Sequence, residues 1–398
     1  MILAFNLVAA ATAAQQAQEK QKSPLAGFFE QGIVFPQTEQ AFYHIPGIVV
    51  AKDGCVLAFC EEYWGSGLYT AAECHVVLRR SHDHGVTWDS IQYLRRKPEM
   101  SWHMGSAIVD ETTGRILLMC GGGWLKSDDS GATWVDWTPT MINAKDGLGA
   151  GTHGSGPGIT LRYGPHKGRL VWPARSTDNR EGYNDSDLDD RRAKCYSTVL
   201  YSDDHGQTLH RSNVFLRGTG EAVLVERLDG DLYMNARAYF EDGKRYTAIS
   251  CDGGATFGDE RTAPTIRETP QGCCAGMVRY PPELAGGRDL ILFSNPDTIE
   301  RKRVHGVVRL SLDGGDTWSY SRAVNTEKDW FDYSSLAVAK DGTVLLMYKT
   351  SPTLTGSPGH ARASSMAVAR FDLAWLTNGV ANVVGQQARD DAPRPRPL

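Results

Sequence analysis

The cysteines and histidines are the side chains of this sequence that could bind a metal or carry out redox chemistry. The chain has eight Cys and 11 His, but no two cysteines form a Cys-x-x-Cys pair and no histidines have metal-ligand spacing. No glycine-rich loop ends in the Gly-Lys-Ser/Thr sequence that cradles phosphate. The sequence therefore predicts no metal and no cofactor, and we expect most of the cysteines to be buried free thiols.

A repeated acidic motif is the strongest pattern in the chain. Ser-x-Asp-x-Gly-x-Thr, followed by an aromatic or apolar residue, occurs five times, at Asp83, Asp129, Asp204, Asp252 and Asp313. An aspartate in such a turn accepts hydrogen bonds from backbone N–H groups ahead of it, and the glycine takes a positive φ. We interpret these aspartates as anchors of β-hairpins and not as catalytic acids. The histidines within the repeats are expected to face solvent: His82, His84 and His205.

The elements around the motif are short strands. An apolar, strand-like segment precedes each copy, and Asp-Gly turns join other such segments. Successive motif aspartates are 46, 75, 48 and 61 residues apart, whereas propeller blades are ~40–50 residues long with insertions in their loops. The sequence therefore predicts an all-β fold, a six-bladed β-propeller over residues 30–380, in which closure of the ring protects the sheet edges.

The composition is that of a folded, mildly acidic protein. It is 41% hydrophobic and 22% charged, and 42 Lys and Arg against 47 Asp and Glu give a net charge of −5. Without a basic block, a nucleic-acid partner has no electrostatic support. No apolar run reaches the ~20 residues of a membrane-spanning helix. We therefore expect neither nucleic-acid binding nor membrane insertion, and the oligomeric state is left open.

Both termini differ from the central region. Residues 2–14 are largely apolar and end in Ala-Thr-Ala, which is typical of a signal-peptide cleavage site, although no Lys or Arg comes before residue 20. A signal peptide over residues 1–18 predicts a secreted or periplasmic protein, and a disordered N-terminus in a cytoplasmic protein is the alternative. The Pro- and Arg-rich residues 386–398 are predicted to form a disordered tail.

Several segments resemble the sialidase (neuraminidase) superfamily, and the repeated motif is similar to its Asp box, the bacterial neuraminidase repeat. The resemblance covers about residues 35–375 in the family order. It rests on Phe42-Tyr-His-Ile-Pro46, Gly154-Ser-Gly-Pro-Gly158, Glu221-Ala-Val-Leu-Val-Glu226, Asn235-Ala-Arg237, Arg303-Val-His-Gly306 and Tyr333-Ser-Ser-Leu-Ala-Val338. It implies a six-bladed propeller and an exo-α-sialidase-like glycosidase whose substrates are sialylated or other acidic glycans.

The resemblance also implies roles for particular residues. Tyr333 matches the family's nucleophile, and Glu221 matches the base that takes its proton. A neutral phenol avoids the repulsion that a carboxylate nucleophile would meet from the substrate's carboxylate, but its pKa of about 10 requires a base. Arg237 and Arg303 match two of the three arginines that hold that carboxylate, which a planar guanidinium group can do with two hydrogen bonds.

The sequence departs from the family pattern around these residues. His44 stands where the first arginine is expected, and Lys349 stands where the family has the glutamate that orients it. Either Lys349 reaches the anion itself or the pocket has changed its ligand. Tyr63 replaces a residue that is often arginine and makes the pocket more aromatic. Two loop histidines, His103 and His153, could also line the pocket.

The general acid is the least defined part of the predicted site. The family has an aspartate between the first two strands of blade one, but residues 54–82 contain none. Glu73 is our candidate, with Glu62 and His75 as alternatives.

Three functions fit these observations. The leading one is a retaining sialidase-like hydrolase that removes a terminal carboxylate-bearing sugar. The second is a propeller lyase or hydrolase on uronic-acid glycans, in which His44, His103 or His153 would act as base or acid. The third is a non-catalytic glycan-binding propeller, which the loss of the acid and of one arginine would permit.

Overall fold

The computed structural model describes residues 27–65, 71, 73–97, 104–120, 123–142, 145–152, 156–351, 356–357, 360–361 and 364–379. The predicted signal peptide at residues 1–18 and the predicted tail at 386–398 lie outside the described residues. So do His103 and His153, and their predicted roles stay predictions.

Most of the fold consists of five antiparallel sheets of four strands each. Blade 1 contains β2 (Ala41–Val50), β3 (Val56–Trp64), β4 (Glu73–Ser81) and β5 (Gln92–Lys97). Blade 2 contains β6 (Met104–Val109), β7 (Ile116–Cys120), β8 (Gly123–Ser127) and β9 (Val135–Trp137). Blade 3 contains β17 (Thr219–Glu226), β18 (Leu232–Ala238), β19 (Arg245–Ser250) and β20 (Gly258–Ala263). Blade 4 contains β21 (Gly276–Arg279), β22 (Ile291–Pro296), β23 (Gly306–Ser311) and β24 (Tyr320–Ala323).

Blade 5 joins the two ends of the described chain. It contains β25 (Ser334–Val338), β26 (Val344–Thr350), β29 (Ser365–Phe371) and, as its outer strand, β1 (Phe29–Phe35). The pairing of β1 with β29 places Phe29 opposite Phe371. A strand from the start of the chain therefore completes a sheet from its end, which closes the ring and covers a sheet edge.

One larger sheet lies between blades 2 and 3. It has seven strands: β10 (Thr140–Ile142), β11 (Gly149–Thr152), β12 (Ile159–Thr160), β13 (Leu170–Thr177), β14 (Cys195–Ser202), β15 (Thr208–Arg211) and β16 (Phe215–Arg217). The prediction of six blades was therefore wrong in its count, because the structure has five blades and this enlarged sheet. The cause is the 75-residue spacing between Asp129 and Asp204, which is longer than one blade and supplies the additional strands.

Few other elements are present in the described part of the chain. They are helix α1 (Leu188–Lys194), helix α2 (Leu373–Leu376), a 3-10 turn (Pro282–Leu284) and a short hairpin of β27 (Gly356–Ser357) and β28 (His360–Ala361). None of the described helices is long and apolar enough to cross a membrane.

Apolar side chains fill the space between neighbouring sheets. Leu57 and Phe59 of blade 1 share a buried cluster with Leu118 of blade 2, and Leu310 of blade 4 shares one with Leu346 of blade 5. The inner strands β2, β6, β17, β21 and β25 lie next to one another around the centre, with β12 between β6 and β17. The packing between sheets therefore determines which inner strands are neighbours around the centre.

The Asp-box hairpins have the predicted role of turn anchors. In the first copy, Asp83 Oδ1 accepts from Ser81 Oγ at 2.8 Å and from the N–H of Thr87 at 2.8 Å, and Oδ2 accepts from Thr87 Oγ1 at 2.6 Å. His84 and Gly85 both have positive φ, at 57° and 84°. The hydrogen bonds outweigh the effect of burial and lower the pKa of Asp83 to about 2.

The second copy shows why the motif glycine is required. A Cβ atom on Gly131 would lie 2.3 Å from Cδ2 of Leu57 in blade 1, and the φ of Gly131 is 81°. The hairpin of one blade therefore seals against the core of the previous blade, and a side chain there would push the two sheets apart.

Removing an Asp-box carboxylate should destabilise the fold without changing the chemistry. Asp83→Ala removes the charged acceptor that holds Ser81 and Thr87 in the turn, and we expect the free energy of unfolding to fall by about 1–3 kcal/mol. Denaturant unfolding measures this change. The control is Asp89→Ala, since Asp89 makes only half-exposed ion pairs to Arg80 and His82 and should lose about 0.5 kcal/mol or less. Equal losses in the two variants would contradict the anchoring role.

Candidate active site

The start of β17 and the segment before β25 bring the predicted base and nucleophile to one end of the ring. Glu221 is the third residue of β17, and Tyr333 directly precedes β25. Arg237 lies near the end of β18, and the antiparallel pairing of Thr219 with Ala238 returns it to the same end. In blade 1, Ser81 at the end of β4 lies opposite the start of β3. The Asp-box turn that follows Ser81 is therefore at the other end of the sheet.

Tyr333, Glu221 and Arg237 form a closed hydrogen-bonded group. The Tyr333 hydroxyl donates to Glu221 Oε1 at 2.7 Å and accepts from Arg237 Nη1 at 2.7 Å. Arg237 Nη1 also contacts Glu221 Oε2, and its Nε donates to the carbonyl of Gln271 at 2.9 Å. Tyr333 and Glu221 are each 4% exposed and Arg237 is 6% exposed. The opposite charges of Glu221 and Arg237 thus offset each other, and the Tyr333 hydroxyl contacts both groups with little exposure to water.

The charges around Tyr333 act on its phenol in opposite directions. Burial raises the pKa of Tyr333 well above 10, Arg237 opposes this, and Glu221 adds to it. For Arg237, burial lowers the pKa, but Glu221 and the neighbouring tyrosines together outweigh burial and raise the pKa well above its usual value. The phenol is therefore neutral at neutral pH, with a proton acceptor and a permanent cation both in contact with its oxygen.

A second compensated group surrounds Asp332, which is fully buried. Asp332 Oδ1 accepts from Arg303 Nη1 at 2.7 Å, and Oδ2 lies 3.2 Å from Lys349 Nζ. Arg303 Nη2 donates to the carbonyl of Gly272 at 3.0 Å. The guanidinium carbon of Arg303 lies 5.2 Å from the centroid of the Tyr333 ring, so this second group adjoins the first. Two cations share one carboxylate here.

His44 and Tyr63 lie on one face of blade 1. The His44 ring centroid is 4.8 Å from that of Tyr333. His44 pairs with Glu61 across β2 and β3, and such partners share a face of the sheet. The Tyr63 hydroxyl donates to Glu61 Oε2 at 2.5 Å, and the N–H of Met104 donates to Glu61 Oε1 at 2.6 Å. His44 thus borders Tyr333, and a buried carboxylate holds Tyr63.

The three candidates for the general acid lie elsewhere. Glu73 Oε2 is 3.0 Å from His75 Nε2, and the Glu73 side chain is 39% exposed. Glu62 accepts from Trp64 Nε1 at 2.9 Å. Side chains alternate along a strand, so these residues face away from the side that carries His44. None of the three contacts the Tyr333 group in the described part of the chain.

Two buried carboxylates were missed by the reasoning from sequence. Asp332 directly precedes Tyr333, and its position between two aromatic residues beside the predicted nucleophile was an available signal. Glu61 precedes Glu62 by one residue, and strand alternation would have placed only one of the two toward His44.

No three His, Cys, Asp or Glu side chains among the described residues converge as a metal site, and the eight cysteines are free thiols, with only Cys251 exposed.

Comparison with known proteins shows the family to which the chain belongs. A profile of the BNR repeat-like domain family matches residues 102–346. A sialidase of Micromonospora viridifaciens is 28% identical over 84% of this chain and 52% of its own length, and one of Bacteroides fragilis is 26% identical over 78% and 60%. This chain therefore spans about half to three fifths of those relatives.

Solved structures share the fold. A Hadza microbial sialidase superposes with a TM-score of 0.66 at 26% identity, covering 84% of this chain and 66% of that one. A leech intramolecular trans-sialidase superposes with a TM-score of 0.70 at 18% identity, covering 88% and 71%, which supports the fold alone. The chain belongs to the sialidase superfamily of BNR-repeat propellers, as the resemblance of its motifs implied.

The buried Lys349 makes stability depend on pH in a defined direction. Burial lowers its pKa below the ordinary 10.5, although Asp332 opposes this. The folded chain thus binds this proton less tightly than the unfolded chain, so the contribution of Lys349 to the free energy of unfolding should rise as pH increases toward 10.5. Burial raises the pKa of cysteines such as Cys60 and Cys273, which contribute in the opposite direction, so the contribution of Lys349 is measured as a difference in slope between variants. Denaturant unfolding over the range of about pH 7 to 10 measures the slope.

Lys349→Met should remove this contribution, while Lys340→Met, at an exposed lysine, should retain it. The same slope in Lys349→Met and in the unmodified protein would show that Lys349 is not the group responsible.

Proposed function

We propose that this protein is a retaining glycoside hydrolase that removes a terminal carboxylate-bearing sugar, of the sialic acid class, from acidic glycans. The observation that carries the proposal is the buried contact of the Tyr333 hydroxyl with both Glu221 and Arg237. The sialidase relatives named above support the substrate class. Because the chain spans only part of those relatives, its activity rests on its own residues.

The first step is attack by the Tyr333 oxygen on the anomeric carbon. Glu221 Oε1 takes the phenol proton as the new O–C bond forms and the glycosidic C–O bond breaks. The leaving oxygen receives a proton from an acid, and Glu73, the residue predicted for this role, would have to turn away from His75 and toward the Tyr333 side of blade 1 to supply it. Water then attacks the anomeric carbon of the tyrosyl-sugar adduct and gives a proton to the conjugate base of that acid. The bond from the sugar to Tyr333 breaks as Glu221 returns its proton to the phenol oxygen, and the two displacements give retention of configuration.

The charges suit a phenol more than a carboxylate as nucleophile. The substrate carries its own carboxylate on the reacting carbon, and a neutral phenol approaches it without repulsion. Arg237 stabilises the negative charge that develops on the phenol oxygen during attack. Its Nε and Nη1 pair with Gln271, Glu221 and Tyr333, and its Nη2 is proposed to hold the substrate's carboxylate.

The cluster around Asp332 supplies the remaining positive charge for that carboxylate. Arg303 and Lys349 share Asp332, so together they exceed it by one charge when Lys349 is protonated. His44, beside Tyr333, is a weaker substitute for the expected arginine, because a neutral imidazole has one N–H donor. The pocket is therefore proposed to hold one carboxylate, with fewer guanidinium groups than the family pattern has.

Tyr333→Phe should abolish turnover while leaving the fold intact. The variant keeps the ring that packs against His44 but has no nucleophilic oxygen, and we expect kcat on chromogenic α-sialosides to fall by about a thousandfold or more. The control is Tyr348→Phe, another buried tyrosine, whose hydroxyl donates to Gln31 at 2.9 Å. This variant should keep its rate. An unaffected rate in Tyr333→Phe would contradict the assignment.

A non-catalytic glycan-binding propeller is the second candidate, because His44 replaces an arginine and Asp332 neutralises part of the charge of Arg303. Calorimetric binding of a sialoside by the unmodified protein, without any turnover, would favour it.

A lyase acting on uronic-acid glycans would instead release an unsaturated sugar that absorbs ultraviolet light. The same incubations therefore separate the three functions.

A further inference from the structure

A second pair of arginines lies beside the Tyr333 group, in the enlarged sheet. Arg175 is on β13, and Arg191 is on α1, which follows β13 in the segment of residues 178–194. Asp185 joins them: its Oδ1 lies 3.1 Å from Arg175 Nη2, and its Oδ2 accepts from Arg191 Nη2 at 3.0 Å. The Tyr183 hydroxyl also contacts Asp185. We call Arg175, Arg191 and Asp185 the arginine lobe.

One aromatic ring connects this lobe to the predicted active site. The guanidinium carbons of Arg191 and Arg237 each lie 5.3 Å from the centroid of the Tyr239 ring. Arg175 Nη1 donates to the Tyr239 hydroxyl at 3.2 Å. The lobe is therefore separated from Arg237, and through it from the nucleophile, by a single side chain.

The lobe carries an excess positive charge. Two guanidinium groups share the single carboxylate of Asp185, whereas Arg237 and Glu221 compensate each other one to one. The Nε–H of Arg191 has no acceptor among the described residues. The side chains are largely buried but reach the surface, with 13% of Arg175, 19% of Arg191 and 31% of Asp185 exposed.

Most of the other charged groups on the same segment pair with one another. Arg192 is paired with Asp189 at 3.1 Å and Glu241 at 3.3 Å, and Lys194 is paired with Asp190 at 2.8 Å. Arg192 and Lys194 thus have carboxylate partners of their own. The excess is local to the lobe, because residues 175–194 as a whole carry six acidic and five basic side chains.

We propose that the arginine lobe binds a second anionic group of the substrate, a sulfate or a carboxylate carried by the sugar beyond the scissile bond. Guanidinium groups hold such oxyanions with paired hydrogen bonds. The terminal sugar's own carboxylate is assigned to Arg237 and Arg303, so the lobe is left for the adjacent sugar. The inference rests on the proposed function and extends it to doubly acidic glycans.

The test compares two matched probes, an α-sialyl-galactoside and the same compound with a sulfate on the galactose. We expect kcat/KM to be about tenfold higher for the sulfated probe, which corresponds to ~1.4 kcal/mol. Arg191→Gln should remove this preference, with less than about a twofold change on the unsulfated probe. The matched control is Arg192→Gln, at the next residue of α1, which should keep the preference.

A disialyl probe distinguishes the two anions. A preference for this probe that also depends on Arg191 would identify a carboxylate as the second group, and a preference confined to the sulfated probe would identify a sulfate. Equal kcat/KM for all three probes in the unmodified protein would overturn the proposal, as would an equal loss on all probes in Arg191→Gln.

Binding separates this proposal from the proposed function. Calorimetry on Tyr333→Phe should show about tenfold tighter binding of the sulfated than of the unsulfated probe. If the unmodified protein hydrolyses neither probe but this difference persists, the hydrolase assignment fails and the lobe stands. If hydrolysis is observed and the affinities are equal, the lobe fails and the hydrolase assignment stands.

Discussion

Glu221 and Arg237 offset each other's buried charge at one end of the ring, and the candidate site is built around this pair. Glu221 and Arg237 are nearly removed from water, and an isolated charge at such a position costs several kcal/mol. Each is tolerated because the other lies against it and because the Tyr333 hydroxyl contacts both. The same arrangement places a proton acceptor and a cation on one phenol oxygen, so the stable packing and the proposed chemistry require the same geometry.

That geometry depends on closure of the propeller. Glu221 and Tyr333 are 112 residues apart in the chain and belong to blades 3 and 5, and His44 comes from blade 1. Their contact exists only because the inner strands surround one centre and β1 completes blade 5. In blade 1 the Asp-box turn lies at the opposite end of the sheet, so the turn that seals one blade against the next is separate from the residues proposed to act on a substrate.

The surroundings of Tyr333 carry less free positive charge than a three-arginine site would. Asp332 accepts from Arg303 and pairs with Lys349, so two cations in the pocket are partly neutralised by the protein itself. The arginine lobe repeats this pattern, with Asp185 between Arg175 and Arg191. In both places a single carboxylate holds two cations in position and leaves an excess of one positive charge, which can orient an anion without a large, unpaired buried charge.

The sequence alone determined the local chemistry of the turns and the identity of the central residues. An Asp box acts within eight residues, so its fold can be read from those residues, and Tyr333, Glu221 and Arg237 stood in recognisable segments. Tertiary structure decided what depends on distant contacts: the enlarged sheet in place of a sixth regular blade, the pairing of Asp332 with Lys349, and the orientation of Glu73 toward His75. These features escaped the sequence because the partner of a buried charge is set by which strands meet across the ring, and residue type and spacing along the chain do not contain that information.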